Sequence, residues 1–469
     1  MTFLQTGTKE SRRSGGLQLI ALGVLAGSLL SASQASAQVL TTLVDFNYSN
    51  GANPYAGLLA DANGNLFGTT SSGGTGFGTV FELAKTPTGY AATPTTLATF
   101  SYSDGAVPDA ELLADAKGNL FGTTYGGGAF GAGTVFELAK TATGYASSVT
   151  SLVSFNGSNG STPYAGLIAD GRGNLLGTTH LGGSFGAGTI FEIAKTASGY
   201  AATPTTMFNF NNSTGGYPFG GLVADNRGNL FGTTSSSASA YGTVFELART
   251  GGGYAGAATT LVNFSYSDGA VPYAALILDG KGNLFGTTYG GGAFGAGTVF
   301  EVAKTATGYA AAPTALVSFS HSNGATPYAK LIADMNGNLF GTTLLGGSSG
   351  AGTVFKLAKT ATGYAAAPIV LANFNGANGA YPVAGLIAGT NGHLLGTAYS
   401  GGAAGYGTVF ELSRSGFVKF AGVPDASNCH SVTIAALTTE YGSVANAASG
   451  LGYASVPALQ NAIANYCDE

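Results

Sequence analysis

The chain has 469 residues and a net charge of −5, and only 8% of its residues are charged. Gly is abundant at 78 residues, but 45% of the chain is hydrophobic, with 28 Phe and 23 Tyr, which is enough apolar surface for a core. The absence of a basic stripe excludes a nucleic-acid-binding footprint. After residue 37, no segment is long and apolar enough to cross a bilayer, so the sequence predicts no transmembrane segment in the mature chain.

The first 37 residues have the pattern of an export signal. Lys9, Arg12 and Arg13 give a basic start, an apolar stretch too short to span a membrane follows, and Ala35-Ser36-Ala37 supplies a small-residue cleavage site. We therefore expect a signal peptide over residues 1–37 and an exported protein that is periplasmic, bound at the cell surface or extracellular. Arg12-Arg13 keeps a twin-arginine route open as an alternative to general secretion.

A repeat of 54 or 55 residues organises residues 38–420. Residues 64–70 read Gly-Asn-Leu-Phe-Gly-Thr-Thr, and a Gly-Thr-Val-Phe-Glu-Leu phrase or a close variant follows each copy. The later copies of the first phrase start at Gly118, Gly173, Gly228, Gly282, Gly337 and, in degenerate form, Gly392. A fixed period of this length indicates one supersecondary unit repeated in space.

Each unit divides into four predicted strands. In the first unit they cover residues 58–60, 65–70, 79–83 and 96–100, with an Asn-Gly turn between the first two and a Gly-rich loop between the second and third. Seven such units predict an all-β fold, a seven-bladed β-propeller of four-stranded blades. An open β-solenoid is the competing architecture, but its coils are typically shorter than this period and lack the hairpin pattern.

The two ends of the repeat region compete for one position in the ring. A fourth-strand pattern occurs at residues 41–46, before the first unit, so this strand could complete the last blade and close the ring. Residues 416–420 are also a plausible fourth strand for blade 7. The sequence does not choose between them.

The repeated motif resembles the GloVer tandem-repeat family. The resemblance covers residues 40–420 and rests on Asp-x-x-Gly-Asn-Leu-Phe-Gly-Thr-Thr, the Gly-rich loop and Gly-Thr-Val-Phe-Glu-Leu. It implies an exported bacterial protein with a surface or extracellular setting, and it implies no particular reaction. Members of the family often carry a C-terminal anchoring signal, but here no hydrophobic helix followed by basic residues is present.

Recurring acidic residues have a structural and a functional interpretation. Asp61 precedes the first turn and has counterparts in five more units; it could cap its own turn or belong to a calcium loop. We favour the cap, because the ligand pattern of a full calcium loop is missing, and we predict no metal and no cofactor. Glu82 and its counterparts precede a cation by three residues, with Lys356 replacing the Glu once, and a structural ladder is favoured over acid–base chemistry because the pattern repeats around the ring.

Histidine offers little support for catalysis. The four histidines are His180, His321, His393 and His430, and no pair has the spacing of metal ligands. No nucleophile elbow or phosphate-binding loop occurs either. We therefore predict no catalytic residue, while His180 stays a candidate because it follows the second strand of its unit.

The loops are the predicted binding surface. On a propeller, the second-to-third-strand loops and the fourth-to-first-strand loops emerge on one face. Aromatic rings with neighbouring hydroxyl and amide groups can stack on and hydrogen-bond to sugars or peptides. The candidate ligand-binding residues are Tyr125, Phe130, Tyr289, Phe294 and His180. The alternative is that these loops contain only good turn-forming residues.

After residue 420 the sequence predicts a small helical module over residues 421–469. Three short helices are expected over residues 431–441, 443–451 and 455–466, with Ser443 and Ser455 as N-caps and Gly442 and Gly452 as stops. Cys429 and Cys467 bracket the helices, and in an exported protein they predict one disulfide. An attachment or partner-docking role is expected for this module.

Together these features predict an exported, non-catalytic binding or scaffold propeller whose ligand is a glycan or a surface protein. Two alternatives remain open from the sequence. The first is a propeller enzyme of lyase or hydrolase type acting on a glycan, and the second is a structural matrix or surface-layer protein. Fold alone does not decide among them.

Overall fold

A computed structural model describes residues 38–237, 241–389, 392–413, 415–418, 429–441, 443–451, 453 and 455–467. The predicted signal peptide lies outside the described residues. No helix within these ranges is long and apolar enough to cross a membrane.

Seven four-stranded antiparallel sheets form the blades of a β-propeller, as the repeat predicts. Blade 1 contains Leu59–Ala60, Leu66–Thr70, Thr79–Leu83 and Thr95–Thr99, from the inner to the outer strand. The strands of the other blades, in the same order, are Leu113–Ala114, Leu120–Thr124, Thr134–Leu138 and Thr150–Ser154 (blade 2); Ile168–Ala169, Leu175–Thr179, Thr189–Ile193 and Thr205–Asn209 (blade 3); Val223–Ala224, Leu230–Thr234, Thr243–Leu247 and Thr259–Asn263 (blade 4); Ile277–Leu278, Leu284–Thr288, Thr298–Val302 and Thr314–Ser318 (blade 5); Ile332–Ala333, Leu339–Thr343, Thr353–Leu357 and Ile369–Asn373 (blade 6); and Ile387–Ala388, Leu394–Ala398, Thr408–Ser413 and Val39–Asp45 (blade 7).

The N-terminal strand closes the ring. Val39–Asp45 pairs antiparallel with Thr408–Ser413, with Thr41 opposite Glu411 and Val44 opposite Val409. The alternative fourth strand at residues 416–420 is therefore wrong for the described part of that segment, because the outer edge of blade 7 is already occupied. Residues 416–418 instead run to the turn of blade 6, where the backbone N–H of Met335 donates to the carbonyl of Val418 at 3.0 Å.

The hydrophobic core lies between neighbouring blades. Between blades 1 and 2 it contains Phe67, Phe100 and Phe136, all buried. The Gly of each Leu-Phe-Gly-Thr-Thr strand makes room for an aromatic ring: a Cβ added to Gly68 would lie 2.6 Å from the Phe81 ring of the next strand. The sequence pattern thus encodes packing as well as strand formation.

The two Thr residues of this motif have separate structural roles. The first donates its hydroxyl to a carbonyl of the following blade, and Thr397 to Ala56 at 2.9 Å repeats this bond across the ring closure. The second shares a hydrogen bond with a Thr of the third strand, as between Thr70 and Thr79 at 2.8 Å. Blade 7 has Ala398 at that position, and the facing Thr408 hydroxyl is buried without a hydrogen-bond partner among the described residues.

The repeated Asp residues cap their own turns, which confirms the structural interpretation. One carboxylate oxygen of Asp61 accepts hydrogen bonds from the backbone N–H groups of Asn63 at 2.9 Å and Asn65 at 2.8 Å. The other accepts from the side-chain amide of Asn65 at 2.9 Å. Over the described ranges, no group of three or more His, Cys, Asp or Glu residues could hold a metal ion.

A short hairpin that the sequence did not reveal joins the third and fourth strands of six blades. In blade 1 it pairs Lys85–Thr86 with Gly89–Tyr90 and places the Lys85 ammonium 4.1 Å from the centre of the Tyr90 ring. The equivalent Tyr145 of blade 2 packs edge-on against Phe67 of blade 1. The remaining hairpins are Lys140–Thr141 with Gly144–Tyr145, Lys195–Thr196 with Gly199–Tyr200, Arg249–Thr250 with Gly253–Tyr254, Lys304–Thr305 with Gly308–Tyr309, and Lys359–Thr360 with Gly363–Tyr364.

Glu82 and its counterparts lie between blades. Burial raises the pKa of Glu82, and Lys140 of the following blade opposes this shift. The cation three residues after Glu82, Lys85, lies over Tyr90 instead. Glu137, Glu246 and Glu301 likewise lie near a Lys of the following blade. In contrast, Glu192 accepts a hydrogen bond from Asn174 and Glu411 pairs with His393, both within their own blade.

The C-terminal module contains the helices Cys429–Tyr441, Val444–Gly450 and Val456–Cys467. The predicted disulfide Cys429–Cys467 is present. The hydroxyls of Ser443 and Ser455 accept backbone hydrogen bonds three residues on, which confirms both N-caps. The predicted stops Gly442 and Gly452 lie outside the described residues.

The module packs against the propeller. Buried Leu437, Leu459 and Ile463 share one core cluster with Leu394 and Phe417. Tyr453 forms an isolated parallel bridge with Ala60 of the inner strand of blade 1. This contact places the module at the end of the central channel where the Asp-capped turns lie.

Candidate functional site

Both sets of long loops lie on one face of the ring, called the loop face below. In blade 2, Ala106 precedes the inner strand and Gly126 follows the second strand, and their backbones exchange two hydrogen bonds of 2.8 and 3.0 Å. Equivalent bridges occur in the other blades, as between Ala52 and Ser72. The sequence-based placement of both loop sets on one face is thus confirmed.

One residue per blade follows a Pro on the loop face, ahead of the inner strand, and these seven are called the mouth residues. Five of the seven are aromatic. In blade order the mouth residues are Tyr55, Asp109, Tyr164, Phe219, Tyr273, Tyr328 and Val383.

The residue before that Pro has a left-handed backbone in all seven blades. Val107 and Val271 have φ angles of 58° and 57°, which β-branched side chains rarely adopt. Two hydrogen bonds hold this conformation: the N–H of Val107 donates to Phe77 of blade 1, and its carbonyl accepts from Tyr125. Backbone strain maintained in this way is concentrated at functional sites in proteins. The other five residues are Asn53, Thr162, Tyr217, Thr326 and Tyr381.

The aromatic mouth residues meet across the ring axis. Tyr164 stacks on Phe219 at 4.2 Å, and Phe219 meets Tyr328 edge-on at 5.5 Å. Tyr328 also lies 5.1 Å from Tyr273 and hydrogen-bonds through its hydroxyl to that of Tyr55. Burial raises the pKa of each of these four tyrosines, so their hydroxyls stay protonated at neutral pH.

Three of the five predicted ligand-binding residues join this aromatic group. Tyr125 lies 4.8 Å from Tyr164, and His180 lies 5.4 Å from the same ring. Tyr289 contacts Tyr328 at 6.3 Å. All three residues directly follow the second strand of their blade.

The other two predicted residues lie elsewhere on the loop face. Phe130 and Phe294 are 66% and 62% exposed. They occupy the tips of the Gly-rich loops, and Phe185 of blade 3 is exposed in the same way. The five predicted residues are thus of two kinds: three contact the mouth residues, and two lie on loop tips.

Asp109 is the polar exception among the mouth residues. It replaces the aromatic ring in blade 2 and accepts a 2.5 Å hydrogen bond from the hydroxyl of Ser71 in blade 1. Burial raises the pKa of this carboxyl from 3.8 to about 7, and the Ser71 bond partly opposes the shift. Near neutral pH, Asp109 therefore exists in both protonated and ionised forms.

Burial among aromatic rings favours the neutral form of His180. Its ring contacts Tyr164, Tyr217 and Phe219. Burial lowers its pKa, with the backbone of Pro218 and Tyr217 opposing the change. At neutral pH this side chain can thus offer one donor and one acceptor without a charge.

An ion pair spans the channel beyond the mouth residues. Glu111 of blade 2 and Lys330 of blade 6 meet at 2.5 Å, although 219 positions separate them in the chain. Gly57 and Gly385 occupy the equivalent positions in blades 1 and 7, and added Cβ atoms there would approach the two charged side chains to 3.6 and 2.8 Å. The small neighbours therefore leave room for the pair.

Most of the chain matches the model of a known repeat family. The family model described as the Gloeobacter/Verrucomicrobia repeat matches residues 26–236 and 200–410. The chain belongs to the Gloeobacter/Verrucomicrobia repeat family. A search of curated proteins finds no match.

Two solved structures similar to this Gloeobacter/Verrucomicrobia repeat protein are distant in sequence. A protein from Bacteroides uniformis described as a candidate 6-phosphogluconolactonase is 14% identical, with a TM-score of 0.47, over 73% of this chain and 89% of that one. A protein of unknown function from Dyadobacter fermentans is 10% identical, with a TM-score of 0.43, over 80% of this chain and 98% of that one. Neither likeness informs the function.

None of the seven mouth residues of this repeat protein was among the residues predicted from sequence, although a signal for them was present. Pro54-Tyr55 recurs once per unit, as in Pro163-Tyr164, with an aromatic ring in five of seven copies. Asp109 stands out as the odd member of that series. The Pro-aromatic pair is also typical of a turn, because Pro is common in turns. Nothing in the local sequence indicates that the seven side chains converge.

Proposed function

We propose that this protein is an exported, non-catalytic binding propeller that binds a glycan on its loop face, centred on the mouth residues. The single observation that carries this proposal is the convergence of five aromatic rings on the ring axis, beside Asp109, Ser71 and His180. The strained backbone that positions the mouth residues supports it, because seven blades maintain the same costly conformation.

The chemistry of this surface suits a sugar. Tyrosine rings offer flat apolar faces for stacking, and their hydroxyls, with those of Ser71 and the His180 ring, offer neutral hydrogen-bonding groups. Tyr125 is 37% exposed and reaches solvent beside the buried mouth rings. Asn and Asp side chains of the fourth-to-first-strand loops form hydrogen bonds within their own turns; for example, the Asn50 side chain accepts from the backbone N–H of Asn47. The aromatic rings are therefore the better ligand contacts.

Export is part of the proposal. The disulfide Cys429–Cys467 fits an oxidising compartment, and the predicted signal peptide would lead the chain there. Cleavage at residue 37 can be tested by N-terminal sequencing of protein recovered from the periplasm or the medium. A mature chain that retains its first residues in the cytoplasm would reject this part.

The binding test uses an oligosaccharide panel and isothermal titration calorimetry. Tyr125→Ala and Tyr289→Ala should each weaken binding of a positive oligosaccharide at least tenfold, and Phe130→Ala should have a smaller effect because it lies on a loop tip. Ile369→Ala, a 51% exposed residue of an outer strand, is the control and should bind like the parent. Binding that tolerates both Tyr substitutions would reject the mouth as the site.

Asp109 favours a second candidate, an enzyme of lyase or hydrolase type that acts on a glycan. A carboxyl with a pKa of about 7 can donate or accept a proton near neutral pH. If the protein is such an enzyme, Asp109→Asn should abolish product formation. The variant should still bind the glycan with an affinity within about threefold of the parent's. Binding without any turnover by the parent supports the non-catalytic proposal.

A further inference from the structure

A cavity of about 440 Å³ occupies the central channel, on the opposite side of the ion pair from the aromatic mouth residues. Its walls are mostly aliphatic and come from the inner strands, with Leu113, Ile168 and Ile277 among them. The C-terminal module supplies part of its boundary through Tyr453 and Val456. The cavity is thus shared between the propeller and the module.

The module covers this end of the channel unevenly. Ala60 of blade 1, Ala333 of blade 6 and Ala388 of blade 7, at the end of their inner strands, are 8%, 8% and 2% exposed. The equivalent Ala169 of blade 3 is exposed. Because Ala169 also lines the cavity, the cavity wall reaches solvent at blade 3.

We propose that this cavity is a binding site for a small, uncharged, apolar molecule that enters past Ala169. Pockets that hold small ligands typically have volumes of about 300 to 1,000 Å³ and mainly apolar walls with a few polar groups. Apolar cavities of smaller volume bind apolar molecules in preference to water. Both the volume and the wall chemistry fit this class of ligand.

The charges in the cavity wall select against a charged ligand. Glu111 and Lys330 both line the cavity, and they neutralise each other at 2.5 Å. A carboxylate or an ammonium group that entered would have to break this pair or remain unpaired in an apolar space, and both are costly. A long-chain alcohol therefore fits better than the corresponding fatty acid.

The experiment uses the uncharged fluorophore N-phenyl-1-naphthylamine with the mature protein. We expect a saturable rise in fluorescence with one site per chain, because the emission of this probe increases in apolar surroundings. 1-Decanol should displace the probe, and decanoate should do so at least tenfold more weakly. Equal displacement by decanoate would overturn the preference for an uncharged ligand.

Substitutions locate the probe. Ala169→Trp should lower its affinity at least tenfold by blocking entry at this position, and Ala224→Leu should do so by narrowing the cavity from within. Ala92→Trp places the same new side chain on an exposed position after the Tyr90 hairpin and should leave binding unchanged. Unchanged thermal unfolding of each variant establishes that it is folded.

Two results would overturn the proposal: no saturable fluorescence with natively folded parent, or full binding by both folded cavity variants. The combined Tyr125→Ala and Tyr289→Ala variant separates this site from the loop face. It should bind the fluorophore like the parent even where it loses an oligosaccharide. The glycan site and the cavity site can therefore be rejected independently of each other.

Discussion

Glu111 and Lys330 connect opposite sides of the propeller by a direct ion pair of 2.5 Å across the channel. Their side chains are 25% and 27% exposed, so the pair is screened from bulk water more than a surface pair is. Removal of one partner would leave the other charge in a largely apolar channel. The pair therefore links two blades that no strand pairing or repeat contact joins.

Lys330→Met should lower the free energy of unfolding by about 2 kcal/mol, because Glu111 loses its partner in a poorly hydrated site. Guanidinium chloride denaturation measures the change. Lys117→Met, at an exposed turn position, should change stability by less than about 0.5 kcal/mol. In the double variant Glu111→Leu/Lys330→Met, part of the loss should return; strictly additive losses would show that the two residues do not interact.

Asp109→Asn should make the protein more stable above neutral pH. The folded pKa of about 7 exceeds the unfolded value near 3.8, so the folded state binds the proton more tightly. Stability from this group is fully present below pH 4 and is lost as the pH rises to about 7. The variant should gain up to about 4 kcal/mol at pH 8 and little at pH 4, as measured by denaturation at both pH values.

Ser71→Ala tests the raised pKa of Asp109 by removing the hydroxyl that hydrogen-bonds to its carboxyl group. Without the hydroxyl that donates to the ionised carboxylate, the pKa of Asp109 should rise further. A carboxyl titration followed by NMR measures it. A pKa near 4 in the parent protein would contradict both expectations.

Ala398→Thr should stabilise the protein by about 1 kcal/mol, because the new hydroxyl can pair with the buried hydroxyl of Thr408. Blade 6 has this bond between Thr343 and Thr353 at 2.8 Å. The reverse change there, Thr343→Ala, should cost about 1 to 3 kcal/mol. Thermal unfolding of the two variants provides the comparison, and a loss of stability in Ala398→Thr would indicate that blade 7 lacks room for the side chain.

Val107→Asn should stabilise the protein by about 1 kcal/mol, because Asn tolerates the left-handed backbone that strains a β-branched residue. Blade 1 already has Asn53 at the equivalent position, where its side chain also donates to the carbonyl of Tyr399 at 3.1 Å. The reciprocal Asn53→Val should lower the melting temperature. If Val107→Asn and Asn53→Val shifted the melting temperature in the same direction, backbone strain would not determine stability at this position.

The strands were predictable from sequence because their signals are local. The Asp61 cap, the Gly64 turn and the Gly68 position beside Phe81 depend on residues within a few positions or one hairpin. Repetition through seven units reinforced each signal. The hairpin that ends at Tyr90 was missed because its short strands pair over only two positions, too few for a periodic pattern.

The candidate site was only partly predictable. Tyr125, Tyr289 and His180 were found because they follow a recognisable strand. The rings they contact, such as Tyr164 and Tyr328, belong to a turn-like Pro-Tyr motif whose convergence depends on closure of the ring.

The sequence by itself determined the blade, the number of blades and the disulfide-linked helices, because period, turn chemistry and cysteine positions are local properties. Only the tertiary structure decided that Val39–Asp45 closes blade 7 and that the helical module lies at one end of the channel. It also decided that Glu111 meets Lys330 and that Asp109 lies among aromatic rings. These relationships join residues of different blades, so they follow from the curvature and closure of the whole ring, which no single repeat specifies.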